Sequence, residues 1–249
     1  MKRNLDIITI IKDDFEGVLS TINSTRELRE GYDVRQIIVD SSGDIVREKI
    51  KKLILNEKNI LYSWQEPSGI AAAFNHGLSI ADSEWVWFLN GGDKVHQDLE
   101  SKLFLDILKK SGAEVIIFEL EFMQSHKASK HLPMWAMWPP IFPNWINHPA
   151  TILRQRVFKK FGGFNEDYKI AMDGEIWLRV FSKDVVVDMI SMPIVLFDEG
   201  GVSVSNQKDT AQEVYKLIKF YLWMLMKIWF KRGKLIIDAM RYFKKTGKL

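Results

Sequence analysis

The chain has 249 residues, 47% of them apolar and 27% charged, which suits a globular protein with one sizeable core, or one domain plus an appendage. The absence of cysteine excludes disulfides and thiolate metal sites and fits a reducing compartment. The net charge of +3 hides an asymmetry: from Asn206 onward there are eleven Lys/Arg against three Asp/Glu, a net of +8, which leaves −5 on the rest. An acidic body with a basic, aromatic tail points to an anionic surface as partner. Nucleic acid is not expected, because no helix-turn-helix, zinc-finger or base-stacking pattern occurs.

Met1-Lys2-Arg3 has the charge of an export signal, but the apolar stretch behind it is only Leu5–Ile11 and contains Asp6, so it reads as a strand. Phe15–Glu30 has helical spacing and ends at Gly31. Val34–Val39 is a second strand, closed by Asp40-Ser41-Ser42-Gly43-Asp44, and Ile45–Leu55 is helical. Asn59–Trp64 is a third strand, Ile70–Ala81 a small-residue helix, and Glu84–Leu89 a buried apolar strand. Leu99–Lys109 is helical and Glu114–Leu120 is another strand. This alternation predicts an α/β fold, a mostly parallel sheet with helices on both faces.

The texture then changes. Leu132–Pro149 holds three tryptophans and five prolines, a long aromatic loop of the kind that is usually functional. Beyond it come a strand at Ala150–Leu153, a helix at Gln155–Phe161, a helix at Ile176–Ser182 with Asp173 before it, and late strands at Val185–Met189 and Ile194–Phe197. The tail is helical, aromatic and rich in lysine. Its longest uncharged run, Phe220–Met226, is far short of the ~20 residues that span a bilayer. A basic amphipathic helix can lie in the headgroup plane; alternatively it packs on the domain with its lysines in water.

The sharpest local signal is Asn90-Gly91-Gly92-Asp93. It follows a fully apolar strand and so brings a carboxylate to the C-terminal sheet edge, where open α/β sheets bind ligands. The glycines permit close approach of backbone, and the carboxylate suits a hard divalent cation. The plain alternative is a tight turn. Asp40 can accept hydrogen bonds from a nucleobase, with Asp44 nearby, or can simply make an Asx-turn and helix cap. Glu66–Ile70 with Asn75-His76-Gly77 places a helix N-terminus where it can meet a ribose or phosphate. His148, where the aromatic loop re-enters the sheet, can touch a diphosphate or an acceptor. Asp173 can act as a general base, or cap the helix behind it.

In order and spacing these segments resemble the family 2 glycosyltransferases with a GT-A fold. Ile7-Ile8-Thr9-Ile10 looks like that family's first strand, Ile38-Val39-Asp40-Ser41-Ser42-Gly43-Asp44 its nucleotide-contacting turn, and Phe88-Leu89-Asn90-Gly91-Gly92-Asp93 its metal-binding segment. His148-Pro149-Ala150-Thr151, Phe161–Glu166 and Asp173 with Leu178-Arg179 resemble the acceptor half. Gly200-Gly201-Val202-Ser203 is similar to the branch that builds colanic acid and O-antigen type polysaccharides.

The resemblance implies a catalytic domain over residues 1–205, with 206–249 as a basic helical tail on a membrane surface. It implies a nucleotide-sugar donor, favouring UDP, contacted by Thr9, Asp40, Asp44, Asn75, Asn90, Gly91 and Gly92. Asp93 would hold Mn or Mg, and Asp173 would be the base of an inverting displacement. His148, Trp145, Glu175 and Arg179 would contact acceptor or diphosphate. The acceptor would be a lipid-linked saccharide at the cytoplasmic face of the cell membrane. A sugar-phosphate nucleotidyltransferase is disfavoured because Lys12-Asp13-Asp14-Phe15-Glu16 is acidic where such enzymes carry a Gly-rich basic loop; a non-catalytic nucleotide-sugar binding module is the other alternative.

Overall fold

The computed structural model describes residues 3–129, 146–200 and 208–217, with the further helical positions Lys219, Leu222 and Met226. Eight strands form one sheet in the order β3-β2-β1-β4-β7-β6-β8-β5. They are β1 (Leu5–Ile11), β2 (Val34–Asp40), β3 (Ile60–Trp64), β4 (Trp85–Asn90), β5 (Lys94–Val95), β6 (Val115–Phe122), β7 (Thr151–Arg154) and β8 (Val187–Phe197). β1 to β4 pair in parallel, as do β6 and β8; β7 and β5 run against their neighbours. The helices are α1 (Phe15–Ser24), α2 (Arg26–Gly31), α3 (Asp44–Ile54), α4 (Ile70–Ile80), α5 (Ser101–Lys110), α6 (Gln155–Phe161) and α7 (Met172–Phe181), and residues 208–217 form a further helix, α8.

Strand alternation sends neighbouring side chains to opposite faces. Ile8, Ile10, Val86 and Phe88 pack with Phe74 of α4 and Ile176 and Trp177 of α7. Leu5, Ile7, Trp85, Trp87 and Leu89 pack with Phe104 and Leu108 of α5. Both faces are covered, so the central strands read as unbroken apolar runs. The buried tryptophans satisfy their N–H groups: Trp85 Nε1 donates to the Leu108 carbonyl (3.1 Å) and Trp87 Nε1 to that of Pro149 (2.6 Å). The second bond ties the re-entering chain to β4.

Four expectations change. The helix expected over Phe15–Glu30 divides at Thr25, whose hydroxyl donates to Ile22 O (3.0 Å) and to Gln36 Oε1 (2.7 Å), so the side chain is committed to β2. The two late strands are one strand, β8, whose pairing with β6 shifts register beside Pro193, a residue that cannot donate to the ladder. The short β5 was not expected from the sequence. Helix α7 starts at Met172, four residues before the expected Ile176: Ala171 is its N-cap, and Asp173 lies within the first turn.

Residues 208–217, grouped by sequence with the tail, pack on the hydrophobic core. Leu217 is fully buried, and Val214 rests against the same cluster as Tyr168, Met172 and Trp177. Among the described residues no helix is long and apolar enough to cross a membrane.

Candidate active site

The chain runs from β1 to β2 on one side and returns to β4 on the other, so β1 lies between them. Loops leaving such a switch point diverge and open a crevice at the carboxyl ends of the strands. A cleft of about 750 Å³ lies there. Ile10, Ile11 and Lys12 line it from the end of β1, Asn90, Gly91 and Asp93 from β4, and Phe197 and Asp198 from β8. Asn147–Pro149 and Ile170–Gly174 close another side, and Thr210 and Val214 bring α8 to the wall. The N-terminus of α4, which has no side-chain cap, contributes Gly69 and Ile70.

The Asn90–Asp93 turn is built as its residue types require. Gly92 has φ +105°, a conformation that favours glycine. A Cβ on Gly91 would come within 2.4 Å of Ile11 Cδ1. Asp93 is 1% exposed; its Oδ2 accepts from Asn90 N (2.9 Å) and its Oδ1 from the Asp198 N–H (3.2 Å). Burial pushes its carboxyl up to about 7, with the Asp198 charge acting in the same direction against the hydrogen bonds from Asn90 and Asp198. The described groups that donate to it, the backbone N–H of Asn90 and of Asp198, bring it no positive charge. Together Asp93 and Asp198 suit a small divalent cation, which typically takes one or two carboxylates and completes its shell with water and substrate phosphates. Among the described residues no group of three or more His, Asp or Glu is arranged around a metal position.

Asp173 lines the same cleft as Asp93. Its Oδ1 accepts from Gly174 N (2.7 Å), and burial nevertheless raises it to about 6. It is therefore ionised at neutral pH yet close enough to the working range to accept a proton.

His148 also lines the cleft, in a box of Phe74, Phe88, Phe164 and Trp177, stacked on Phe88 at 5.2 Å. Burial drives its pKa down to about 3. The ring is neutral, so a charge interaction with a diphosphate is not available to it. Both ring nitrogens lack a hydrogen-bond partner among the described residues.

Several residues expected to contact donor or acceptor do not line the cleft. Thr9 faces away from the cleft, its hydroxyl accepting from buried Gln36 Nε2 (2.9 Å). Asp40 is fully buried and accepts from Ser42 N (2.8 Å) and the Tyr62 hydroxyl (2.7 Å); its neighbour Ser41 reaches the cleft. Asp44 is exposed and paired with Arg47. Asn75 clamps the Gly163–Glu166 turn, donating to Phe164 O (2.9 Å) and accepting from Phe164 N (2.8 Å). Arg179 binds Glu175 through two nitrogens and the carbonyls of Phe161, Gly162 and Gly163. Each of these side chains is already engaged among the described residues, by backbone, by a polar side chain or by a partner of opposite charge. Trp145 lies outside the described residues. Asp198 escaped the sequence reading, although it follows the same pattern as Asp40 and Asp93, an acid at the end of an apolar strand.

The pattern of Glycosyl transferase family 2 matches residues 6–185. Two glycosyltransferases of Mycobacterium tuberculosis, both described as uncharacterized, are 26% identical over 205 residues, covering 80% of this chain and 76% of theirs. Among solved structures, S. aureus TarS in complex with UDP-GlcNAc superposes with a TM-score of 0.68 at 16% identity, over 89% of this chain and 66% of that one. The mannosyltransferase PcManGT from Pyrobaculum calidifontis, in complex with GDP-Man and Mn2+, gives 0.62 at 11% identity, over all of this chain and 77% of that one. Against a longer TarS structure the chain spans 39% of the length. At these identities the superpositions establish the fold, a GT-A type open sheet flanked by helices. The family match covers most of the chain, and with that the protein belongs to glycosyl transferase family 2 and is a glycosyltransferase.

Proposed function

We propose that the cleft binds a nucleotide-diphosphate sugar, with UDP as the nucleotide, and transfers the sugar to an acceptor hydroxyl in a single inverting displacement. The observation that carries this is the convergence of Asp93, Asp198 and Asp173 on one cleft at the carboxyl ends of β1, β4 and β8. TarS, solved with UDP-GlcNAc, and PcManGT, solved with GDP-Man and Mn2+, support the donor class and the metal.

Charge supports a metal independently. The described lining holds four carboxylates, Asp14, Asp93, Asp173 and Asp198, and the single ammonium of Lys12. A diphosphate adds more negative charge, so its entry needs a cation. Mn or Mg held by Asp93 and Asp198 would neutralise the departing diphosphate. Asp173 takes the proton of the acceptor hydroxyl as its oxygen bonds to the anomeric carbon, and the bond from that carbon to the phosphate oxygen breaks on the opposite face. Asn90 and Gly91 let the donor approach the backbone, and Asp40 acts on the base region through the Ser41–Ser42 turn that it braces.

The acceptor in this reading is a lipid-linked saccharide of a surface polysaccharide, reached at the cytoplasmic face of a membrane. The net charge of +8 over 206–249 supports that placement, since basic aromatic helices bind anionic headgroups. The core reading is tested by thermal shift with UDP-sugars and GDP-sugars, each with and without Mn. A donor that binds the native state raises its stability with occupancy. The wild type is expected to be stabilised by a UDP-sugar only when Mn is present, and Asp93→Ala and Asp198→Asn to lose that response. Stabilisation of Asp93→Ala equal to wild type would remove the metal role from Asp93.

A further inference from the structure

The segment entering α7 presents an unusual demand. Ala171, its N-cap, carries only a methyl group and cannot accept from the first free N–H groups, and the helix has no side-chain cap. Just upstream, three successive backbone N–H groups point the same way. Lys169 N donates to Glu213 Oε1, and Ile170 N and Ala171 N both donate to Glu213 Oε2, each at 2.9 Å. One carboxylate thus satisfies the main chain that leads, two residues later, to Asp173. Burial raises the Glu213 pKa, but the three N–H donors and Lys216 outweigh it and hold the group below its ordinary value, as a carboxylate bonded by several amides should be.

Glu213 is itself fixed. It projects from α8, which is anchored by fully buried Leu217 and by Val214 against the cluster that includes Tyr168, Ala171, Met172 and Trp177. Lys216 lies 5.1 Å over the Tyr168 ring, a second link between α8 and the same segment. Thr210 and Val214 of α8 stand in the cleft wall with Asp173.

We propose that Glu213 is a positioning residue for sugar transfer: through Lys169–Ala171 it sets where the Asp173 carboxylate stands in the cleft. This rests on Asp173 being the base. Asp173 touches the substrate and Glu213 does not. The N-terminus of α7 therefore owes its place to a carboxylate about forty residues further along the chain, in a helix that the sequence assigns to the tail.

The test compares Glu213→Ala, Glu213→Gln and Asp173→Asn by donor affinity with Mn, by kcat with donor and acceptor saturating, and by amide hydrogen exchange. Displacing a reacting group by about 1 Å can cost about a hundredfold in rate. Glu213→Ala is expected to lower kcat by that order while donor affinity stays within twofold of wild type, and to speed exchange at Lys169, Ile170 and Ala171. Glu213→Gln, which keeps one acceptor oxygen, should fall between Ala and wild type in both readouts. A merely structural role would lower donor affinity and kcat together, and that result overturns the proposal. So does a wild-type kcat in Glu213→Ala. If Asp173→Asn retains full turnover, the base assignment itself fails, an outcome distinct from loss of turnover in Asp173→Asn with no effect at Glu213.

Discussion

Asp173 carries two opposed requirements. Burial raises its pKa from the ordinary 3.8 to about 6, so it gains basicity while remaining ionised at pH 7. The pH dependence of kcat follows. With Asp173 as the proposed base, it is protonated below about pH 6, and kcat should fall by roughly tenfold per pH unit; above that the acid limb should be flat. Asp173→Asn should lower kcat by about 10²- to 10⁴-fold and abolish that limb, while binding donor as wild type does. The same shift acts on stability. A carboxyl with a raised native pKa binds its proton more tightly in the folded state, so its contribution falls as pH rises through 3.8 to about 6. At neutral pH the ionised carboxylate is a burden that Asn lacks. Asp173→Asn should therefore melt higher than wild type at pH 7 and lose that advantage at pH 4. A lower melting temperature at pH 7 would mean that the ionised carboxylate stabilises the fold.

The glycines within helices and turns show how elements are brought together. Helix α4 crosses β1 and β2 with Gly77 against the sheet, and a Cβ there would come within 2.4 Å of Ile8 Cγ2. In an exposed helix Gly to Ala gains about 1 kcal/mol. Here the overlap with a buried β-branched side chain decides the sign, and overpacking costs about 1–3 kcal/mol. Gly77→Ala should lower the midpoint of urea unfolding. An unchanged or raised midpoint would show that α4 can lift away from the sheet freely. The position matters for function because the N-terminus of α4 forms part of the cleft. Asn75 and Arg179 act in the same way at longer range, since both hold the turn around Gly163, the first through Phe164 and the second through the Gly163 carbonyl. The Phe161–Glu166 motif is thus recognisable in sequence because its partners require it, without touching the cleft.

Across the molecule, α8, which follows the boundary expected at residue 205, contributes Leu217 to the core and Thr210 and Val214 to the cleft wall. Truncation after Asn206 should cost both stability and activity. The proposed membrane role is better tested on the full chain: replacing Lys231, Arg232 and Lys234 by Gln should weaken co-sedimentation with anionic vesicles. Salt should weaken the wild-type interaction in the same way, because attraction between a basic segment and an anionic surface is screened. Equal sedimentation of both proteins at low salt would remove those charges from the interaction. Apart from the short β5 and the division of the first helix, the order of strands and helices up to β6 was legible in advance, and so was the arrival of Asn90, Gly91, Asp93 and Asp173 at the cleft, because apolar runs, glycine turns and strand-end acids are properties of neighbouring residues. The break at Thr25 was not, since it depends on Gln36 of a different strand. The Asx-turn of Asp40 was open to the sequence, but that Asn75, Glu175 and Arg179 would be engaged by the scaffold was not, because a side chain's type does not reveal which partner reaches it first. Asp198 and Glu213 complete the contrast. Each is an ordinary acid by composition, and each gains its meaning from groups brought near by folding: the Asp93 carboxylate 105 residues away, and the amides of Lys169–Ala171. Local periodicity fixes what each segment becomes; the packing of segments far apart along the chain fixes which charges meet.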